Sequence, residues 1–171
     1  MPKTDALKRA REDKREGKSP STQAGEFVRE EMKEIRQHKH GARSAAQAIA
    51  IGLSEARRAG VALPPPKGAH ASDETRRSAQ RDLEVGREPD HKPSPKRSRA
   101  AENALKREGS AAASAPALRR QAKAAAARRT PQERSASARE AAQTKGPAER
   151  SAAAQKAART RARHTTGRAK S

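Results

Sequence analysis

The fold of this chain is decided by residues 24–60, AGEFVREEMKEIRQHKHGARSAAQAIAIGLSEARRAG. Apolar side chains recur in this stretch at spacings of three and four residues, which is the period of an amphipathic helix. The turn HKHGAR interrupts the pattern, and Gly60 ends it. The sequence therefore predicts one helix over about residues 23–39 and a second from Ser44 onward, paired as an antiparallel hairpin over residues 22–63.

The first predicted helix carries Phe27 and its apolar neighbours on one stripe. We expect its glutamates to face elsewhere and to pair in part with Arg29 and Lys33; they are Glu26, Glu30, Glu31 and Glu34. In the second helix, Gly52 and the neighbouring alanines let the two helices approach closely. A unit of about 40 residues is near the lower limit for folding alone, so the hairpin could form a homodimer or need another partner.

Composition limits how much of the chain can fold around a core. The 171 residues include one aromatic residue, Phe27, and no cysteine, and the net charge is +20. Leu, Ile, Val and Phe are too scarce to offset the conformational entropy of a chain this long. The predicted fold class is all-α, a small helical hairpin with extensive disordered or conditionally helical basic segments.

Proline, glycine and charge divide the chain into four predicted segments. These are a charged N-terminal helix and linker over residues 1–21, the helical-hairpin domain over 22–68, a weak helix and Pro-rich linker over 69–96, and an Ala/Arg-rich basic tail over 97–171. The N-terminal helix contains one large apolar residue, Leu7, so we expect it to pack little.

The positive charge is concentrated toward the C-terminus. Residues 91–171 contain 21 Lys and Arg against 5 Asp and Glu, a net charge of +16, whereas residues 1–90 have a net charge of +4. Two similar units follow each other there at an offset of 16 residues, PQERSASAREAAQT (131–144) and PAERSAAAQKAART (147–160), and a degenerate unit begins at Pro116. Proline and an acidic residue near the start of the two full units favour short helices.

A basic, helix-prone segment without a core is typical of proteins that bind nucleic acid through its phosphates. Single-strand binders and common RNA modules stack bases on aromatic side chains, so the scarcity of these favours duplex DNA over RNA. We expect low sequence specificity and helix formation on binding. The residues predicted to bind are Lys96, Arg97, Arg99, Arg119, Arg120, Lys123, Arg128, Arg129, Arg134, Arg139, Arg150, Arg159, Arg161 and Arg163.

Other functions are disfavoured by the sequence. It contains no GxxxxGK[ST], no GxGxxG and no nucleophile elbow, so we predict neither an enzyme nor a cofactor. The tail offers alanine where a membrane-surface helix needs Leu, Phe or Trp, so no membrane binding is expected. In the second hairpin helix, Gln47 is the main base-reading candidate and Arg57 and Arg58 lie at the wrong end, so packing or dimerisation is favoured.

Two histidines in the hairpin turn suggest a metal site at first sight. His38 and His40 follow Glu34 closely, but the spacing straddles a helix end and no cysteine is available. We therefore predict solvated turn histidines and no metal site.

Part of the chain resembles a known family. Residues 26–68 resemble a family of small basic bacterial proteins defined by a domain of unknown function, and residues 44–60, which carry S-x-x-QAIAIGLSEARRAG, are the most specific part. Members are loosely labelled DNA-binding or histone-like, without residue roles to carry over. The tail is similar in composition to linker-histone tails, and SPKR at residues 94–97 resembles a histone-tail element, which we interpret as coincidence.

These features predict a bacterial, histone-like, nucleoid-associated protein of the cytoplasm. Its hairpin would pack or dimerise, and its tail would bind duplex DNA. The alternatives are an RNA- or ribosome-associated basic protein and a disordered stress-related protein whose charge serves solubility.

Overall fold

The computed structural model describes four stretches of the chain, residues 4–67, 71–88, 94–144 and 146–168. All regular elements in these stretches are helical, which confirms the predicted all-α class. They are α1 (Thr4–Arg15), α2 (Pro20–Arg36), α3 (Ala45–Arg58), α4 (Asp73–Val85), α5 (Pro95–Lys106), a 3₁₀ helix (Ser110–Ala113), α6 (Ala115–Arg128), α7 (Pro131–Thr144) and α8 (Pro147–Arg168).

The chain divides into two compact units, Met1–Ala124 and Ala125–Ser171. The first unit runs across the segment boundaries predicted near residues 21, 68 and 96, which stay predictions. In the described part of the chain, no helix combines the length and the hydropathy needed to cross a membrane.

The predicted hairpin is formed by α2 and α3, and both helices begin at a serine cap. α2 starts at Pro20, earlier than predicted, because Ser19 caps it and proline fits the first helical position, where no amide N–H is required. α3 starts after Ser44 as predicted, and the Gln47 N–H donates to Ser44 Oγ (3.1 Å). Gln47 Oε1 in turn accepts from the Arg43 N–H (2.8 Å). Gln47 therefore takes part in capping, which favours packing over base reading for α3.

Phe27 lies at the centre of the first of two small cores, called here the Phe27 core. Its side chain has no exposed surface and packs with Ala56 of α3 and with Val61. Val61 and Leu63 return over the end of α3 as predicted, and the Arg57 guanidinium donates to the Leu63 carbonyl oxygen (3.1 Å). Because burial disfavours the charged form, the pKa of Arg57 is lowered from its ordinary value.

α1 packs against the hairpin, so the expectation of little packing was wrong. Ala6 and Ala10 are 0% and 3% exposed and belong to the Phe27 core. That expectation was based on large apolar residues alone. Alanine buries less surface, but it lets helix backbones approach closely enough for many contacts.

The glutamates of α2 are more buried than predicted. The side chains of Glu26, Glu30 and Glu31 are 10%, 9% and 1% exposed. Arg9 of α1 donates to Glu26 (2.6 Å) and Glu30 (3.0 Å), and Lys33 donates to Glu30 (2.9 Å) as expected. Hydrogen bonds from Lys33 and Arg9 lower the pKa of Glu30. Glu26 and Glu30 can be buried because Arg9 of α1 pairs with both carboxylates.

The second core lies at the other end of the hairpin. Met32 and Ile35 of α2 pack there with Ala48 of α3 and with Ala112 and Ala113 of the 3₁₀ helix. The core therefore includes residues about 70 positions away from the hairpin in sequence.

The last turn of α5 and the segment after it also bind the turn between α2 and α3. The Gly41 N–H donates to the Leu105 carbonyl oxygen (2.9 Å), and the Ala42 N–H donates to that of Gly109 (3.2 Å). A Cβ atom on Gly41 would overlap the Glu108 carbonyl oxygen. The turn is thus held at a distance that only glycine permits.

α4 is attached to α3 through a buried carboxylate. Asp82, 5% exposed, accepts from Ser54 Oγ and from Arg58 Nε (2.7 Å). Arg57 and Arg58 are thus both engaged in intramolecular contacts, which again favours a packing role for α3.

The approach of α2 to α3 predicts opposite effects for two glycines. A Cβ atom on Gly52 would lie 2.7 Å from Val28 Cα, whereas one on Gly25 would meet nothing within 4 Å. We expect Gly52→Ala to cost about 1–3 kcal/mol through overpacking. The control, Gly25→Ala, should stabilise α2 by up to about 1 kcal/mol through helix propensity. Thermal unfolding followed by circular dichroism measures both; shifts of the same sign would contradict the close contact.

Candidate nucleic-acid interface

The helices of the basic tail begin where the predicted repeat begins. α7 starts at Pro131 and α8 at Pro147, the first residue of each 16-residue unit, and α6 starts one residue before the proline of the degenerate unit. The Thr130 N–H donates to the Glu133 carboxylate (2.8 Å), and the Glu133 N–H donates to Thr130 Oγ1 (3.2 Å). This capping box satisfies backbone donors that α7 cannot satisfy internally.

Packing among the described residues does not account for α7 and α8. In the unit Ala125–Ser171, no described side chain is buried, and Ala142 is the one that is half-buried. Isolated helices of this length are marginal in water. Their stability must therefore come from caps and alanine or from a partner that neutralises their charge.

The structure places the predicted phosphate-binding residues on α5 to α8 and on the connection after α6. All of those with described side chains are exposed; the Arg163 side chain lies outside the described residues. By element they are Lys96, Arg97 and Arg99 on α5, Arg119, Arg120, Lys123 and Arg128 on α6, Arg129 in the connection, Arg134 and Arg139 on α7, and Arg150, Arg159, Arg161 and Arg163 on α8.

Ion pairing distinguishes these residues from the cations of the hairpin. Around the hairpin, Arg9, Lys33 and Arg58 each form a salt bridge with a carboxylate that is at most 10% exposed. Within the described residues, twelve of the predicted binding residues form no salt bridge, Arg161 and Arg163 being left out of this comparison. Residues 125–171 contain 12 Lys and Arg against 3 acids, a net charge of +9. The tail cations are therefore available to an external anion.

The predicted binding residues Arg150, Arg159 and Arg161 do not share one face of α8. At about 100° per residue, Arg159 lies on the opposite side of α8 from Arg150 and Arg161. Cations on opposite sides of a helix can contact phosphates on both sides of it. They are poorly placed for reading bases with a single face.

The basic face of α1 was not predicted from the sequence. Four exposed side chains line a shallow depression of about 620 Å³, and they are Lys8, Arg11, Lys14 and Arg15. The spacing of Lys8, Arg11 and Arg15 places them on one side of α1, away from the buried Ala6 and Ala10. Helical periodicity applied to charge, and not to apolar residues alone, could have found this face.

A second basic surface could not have been found in the sequence. Arg43 and Arg120 line a groove of about 380 Å³ next to Ser44, at the start of α3. These arginines are 77 positions apart in the sequence. They line one groove because the 3₁₀ helix and α6 pack next to the turn between α2 and α3.

Comparison with known proteins identifies a domain within the first unit. Residues 17–67 match the model of a family of unknown function (DUF6496). The matched residues contain α2, α3 and the loops around them, so they agree with the predicted domain of unknown function and do not extend to the tail. No curated protein and no solved structure matches this chain at a significant level.

Proposed function

We propose that this protein is a histone-like, nucleoid-associated protein that binds duplex DNA through phosphate contacts with low sequence specificity. The observation that carries this proposal is the set of twelve exposed cations on α5 to α7, on α8 and in the connection after α6 that form no salt bridge within the described residues. The hairpin, which uses its own charged residues internally, would pack or dimerise rather than read bases.

Counterion release supplies the affinity in this proposal. Each phosphate that a Lys or Arg neutralises releases a condensed counterion, so affinity falls with salt. If about 8–12 of the tail cations contact phosphate, the slope of log affinity against log salt is roughly −7 to −11.

The position of the single aromatic residue supports a duplex over a single strand. Base stacking on aromatic side chains is the usual source of affinity for single-stranded nucleic acid. Phe27 has no exposed surface, so it cannot stack on a base while the hairpin is folded. Arginine can stack as well, and for this reason RNA is the alternative partner.

A competition experiment tests the proposal. Gel shifts with the full chain across a salt series compare duplex DNA, the single strands and structured RNA of equal length, with heparin as a polyanion without bases. We expect duplex DNA to compete best and the salt slope to lie in the range given above. A preference for structured RNA would favour the ribosome-associated alternative, and equal competition by heparin would contradict the claim for DNA.

A further inference from the structure

Two carboxylates and an imidazole converge at the C-terminal end of α2. His40 Nε2 lies 3.7 Å from Glu31 Oε2 and 3.7 Å from Glu34 Oε2. One ligand atom from each of the three side chains lies within 4.8 Å of the others. Their exposed fractions are 1% for Glu31, 20% for Glu34 and 17% for His40. The prediction of a solvated turn histidine therefore fits the exposed His38 but is wrong for His40.

The distances suit ligands of one metal ion better than direct hydrogen bonds. A nitrogen and an oxygen 3.7 Å apart are beyond hydrogen-bond range. Two donor atoms in a tetrahedral zinc site, each about 2.1 Å from the ion, lie about 3.4 Å apart. Small side-chain adjustments would bring all three atoms to that separation.

The imidazole is oriented for this role by the backbone. His40 Nδ1 lies 3.3 Å from the Gly41 carbonyl oxygen. A carbonyl oxygen only accepts, so Nδ1 carries the proton, and in the neutral ring Nε2 keeps its lone pair toward the carboxylates. A metal-bound histidine commonly donates its second ring N–H to a carbonyl in this way.

The scaffold holds the three side chains without help from an ion. Glu31 and Glu34 are three residues apart on α2, which places them on the same side of the helix. His40 follows the left-handed residue His38 (φ 57°) and precedes Gly41, whose N–H donates to the Leu105 carbonyl oxygen. Lys39 Nζ lies 3.6 Å from Glu34 Oε1 and leaves Glu34 Oε2 facing His40.

We propose that Glu31, Glu34 and His40 form a binding site for a divalent transition-metal ion, with Zn²⁺ as the best match. One imidazole nitrogen and two carboxylate oxygens are a donor set that Zn²⁺ accepts in three-ligand sites. The remaining coordination position is left to solvent. The ion would link the end of α2 to the hairpin turn, which is hydrogen-bonded to Leu105 and Gly109. This role is independent of the proposed DNA binding.

Calorimetric titration of the full chain with zinc chloride, without DNA, tests the site. We expect one Zn²⁺ per chain, and we expect His40→Ala to weaken binding by about tenfold or more. His38→Asn is the matched control, because asparagine tolerates the left-handed conformation, and it should change affinity by less than about twofold. Absence of stoichiometric binding, or equal losses in both variants, would overturn the proposal.

A second measurement separates metal binding from folding. Zn²⁺ should raise the unfolding temperature of the wild type and of His38→Asn but not of His40→Ala. It should also slow hydrogen exchange at the Gly41 N–H in the wild type. If His40→Ala does not fold without metal, Glu34→Gln replaces it, since that side chain is 20% exposed. Equal shifts in the wild type and in the folded ligand variant would refute the site.

Discussion

Replacing the central basic residues of the tail by glutamine is expected to lower the affinity for duplex DNA roughly 10⁴-fold at about 0.1 M salt. Glutamine removes the charge but keeps nearly the same helix propensity. Losing about half of the contacts, roughly four to six, makes the salt slope less steep by about 4–5. The residues to replace are Arg119, Arg120, Lys123, Arg128, Arg129, Arg134, Arg139, Arg150, Arg159, Arg161 and Arg163.

The matched control changes the same arginines to lysine. Charge is kept and the planar, bidentate guanidinium is lost, so binding dominated by phosphate charge should weaken by no more than about tenfold. Fluorescence anisotropy with a labelled duplex across a salt series measures all variants. An affinity of the glutamine variant within about tenfold of the wild type would shift the interface to the basic face of α1, whose cations this variant keeps.

Much of the secondary structure could be predicted because its signals are local. Ser44 caps α3, and Pro131 and Pro147 start α7 and α8, each as expected. Proline at a first helical turn and a serine side chain at a cap act on the nearest backbone groups only. Tertiary packing therefore has little effect on where these helices begin.

The core could be predicted only in part because much of it is alanine. Ala6, Ala112 and Ala113 are buried, whereas the alanines of α7 and α8 with described side chains are exposed apart from the half-buried Ala142. Alanine favours a helix in either environment, so its pattern does not distinguish a buried face from an exposed one. Long-range neighbours make that distinction, and a single sequence does not show them.

The two candidate sites also differ in whether a local sequence pattern could predict them. The tail cations with described side chains are exposed, and charge counting finds such residues. The convergence of Glu31 with His40 depends on the left-handed turn at His38 and on the docking of Leu105 and Gly109, which no local pattern encodes. The cluster of Glu31 and His40 could therefore be identified only once the conformation of the turn was known.

Phe27→Ala is expected to unfold much of the first unit. Phe27 is the largest fully buried side chain, and its removal should cost about 3–5 kcal/mol. Small domains have total stabilities of about 5–15 kcal/mol, with the smallest near the lower end. Much of the cavity would be lined by alanines, whose short side chains cannot extend into it. Calorimetry of thermal unfolding measures the loss, since the chain contains no Trp or Tyr for fluorescence.

Phe27→Leu is the conservative partner of this variant, because leucine refills most of the cavity, and it should lose less than half as much stability. A loss of less than about 1 kcal/mol for Phe27→Ala would contradict the Phe27 core as the centre of the unit. The same variant separates the two parts of the proposed function. Because no described side chain in residues 125–171 is buried, the affinity of this part of the tail for duplex DNA should survive the unfolding of the hairpin, whereas any dimerisation through residues 22–63 should be lost with it.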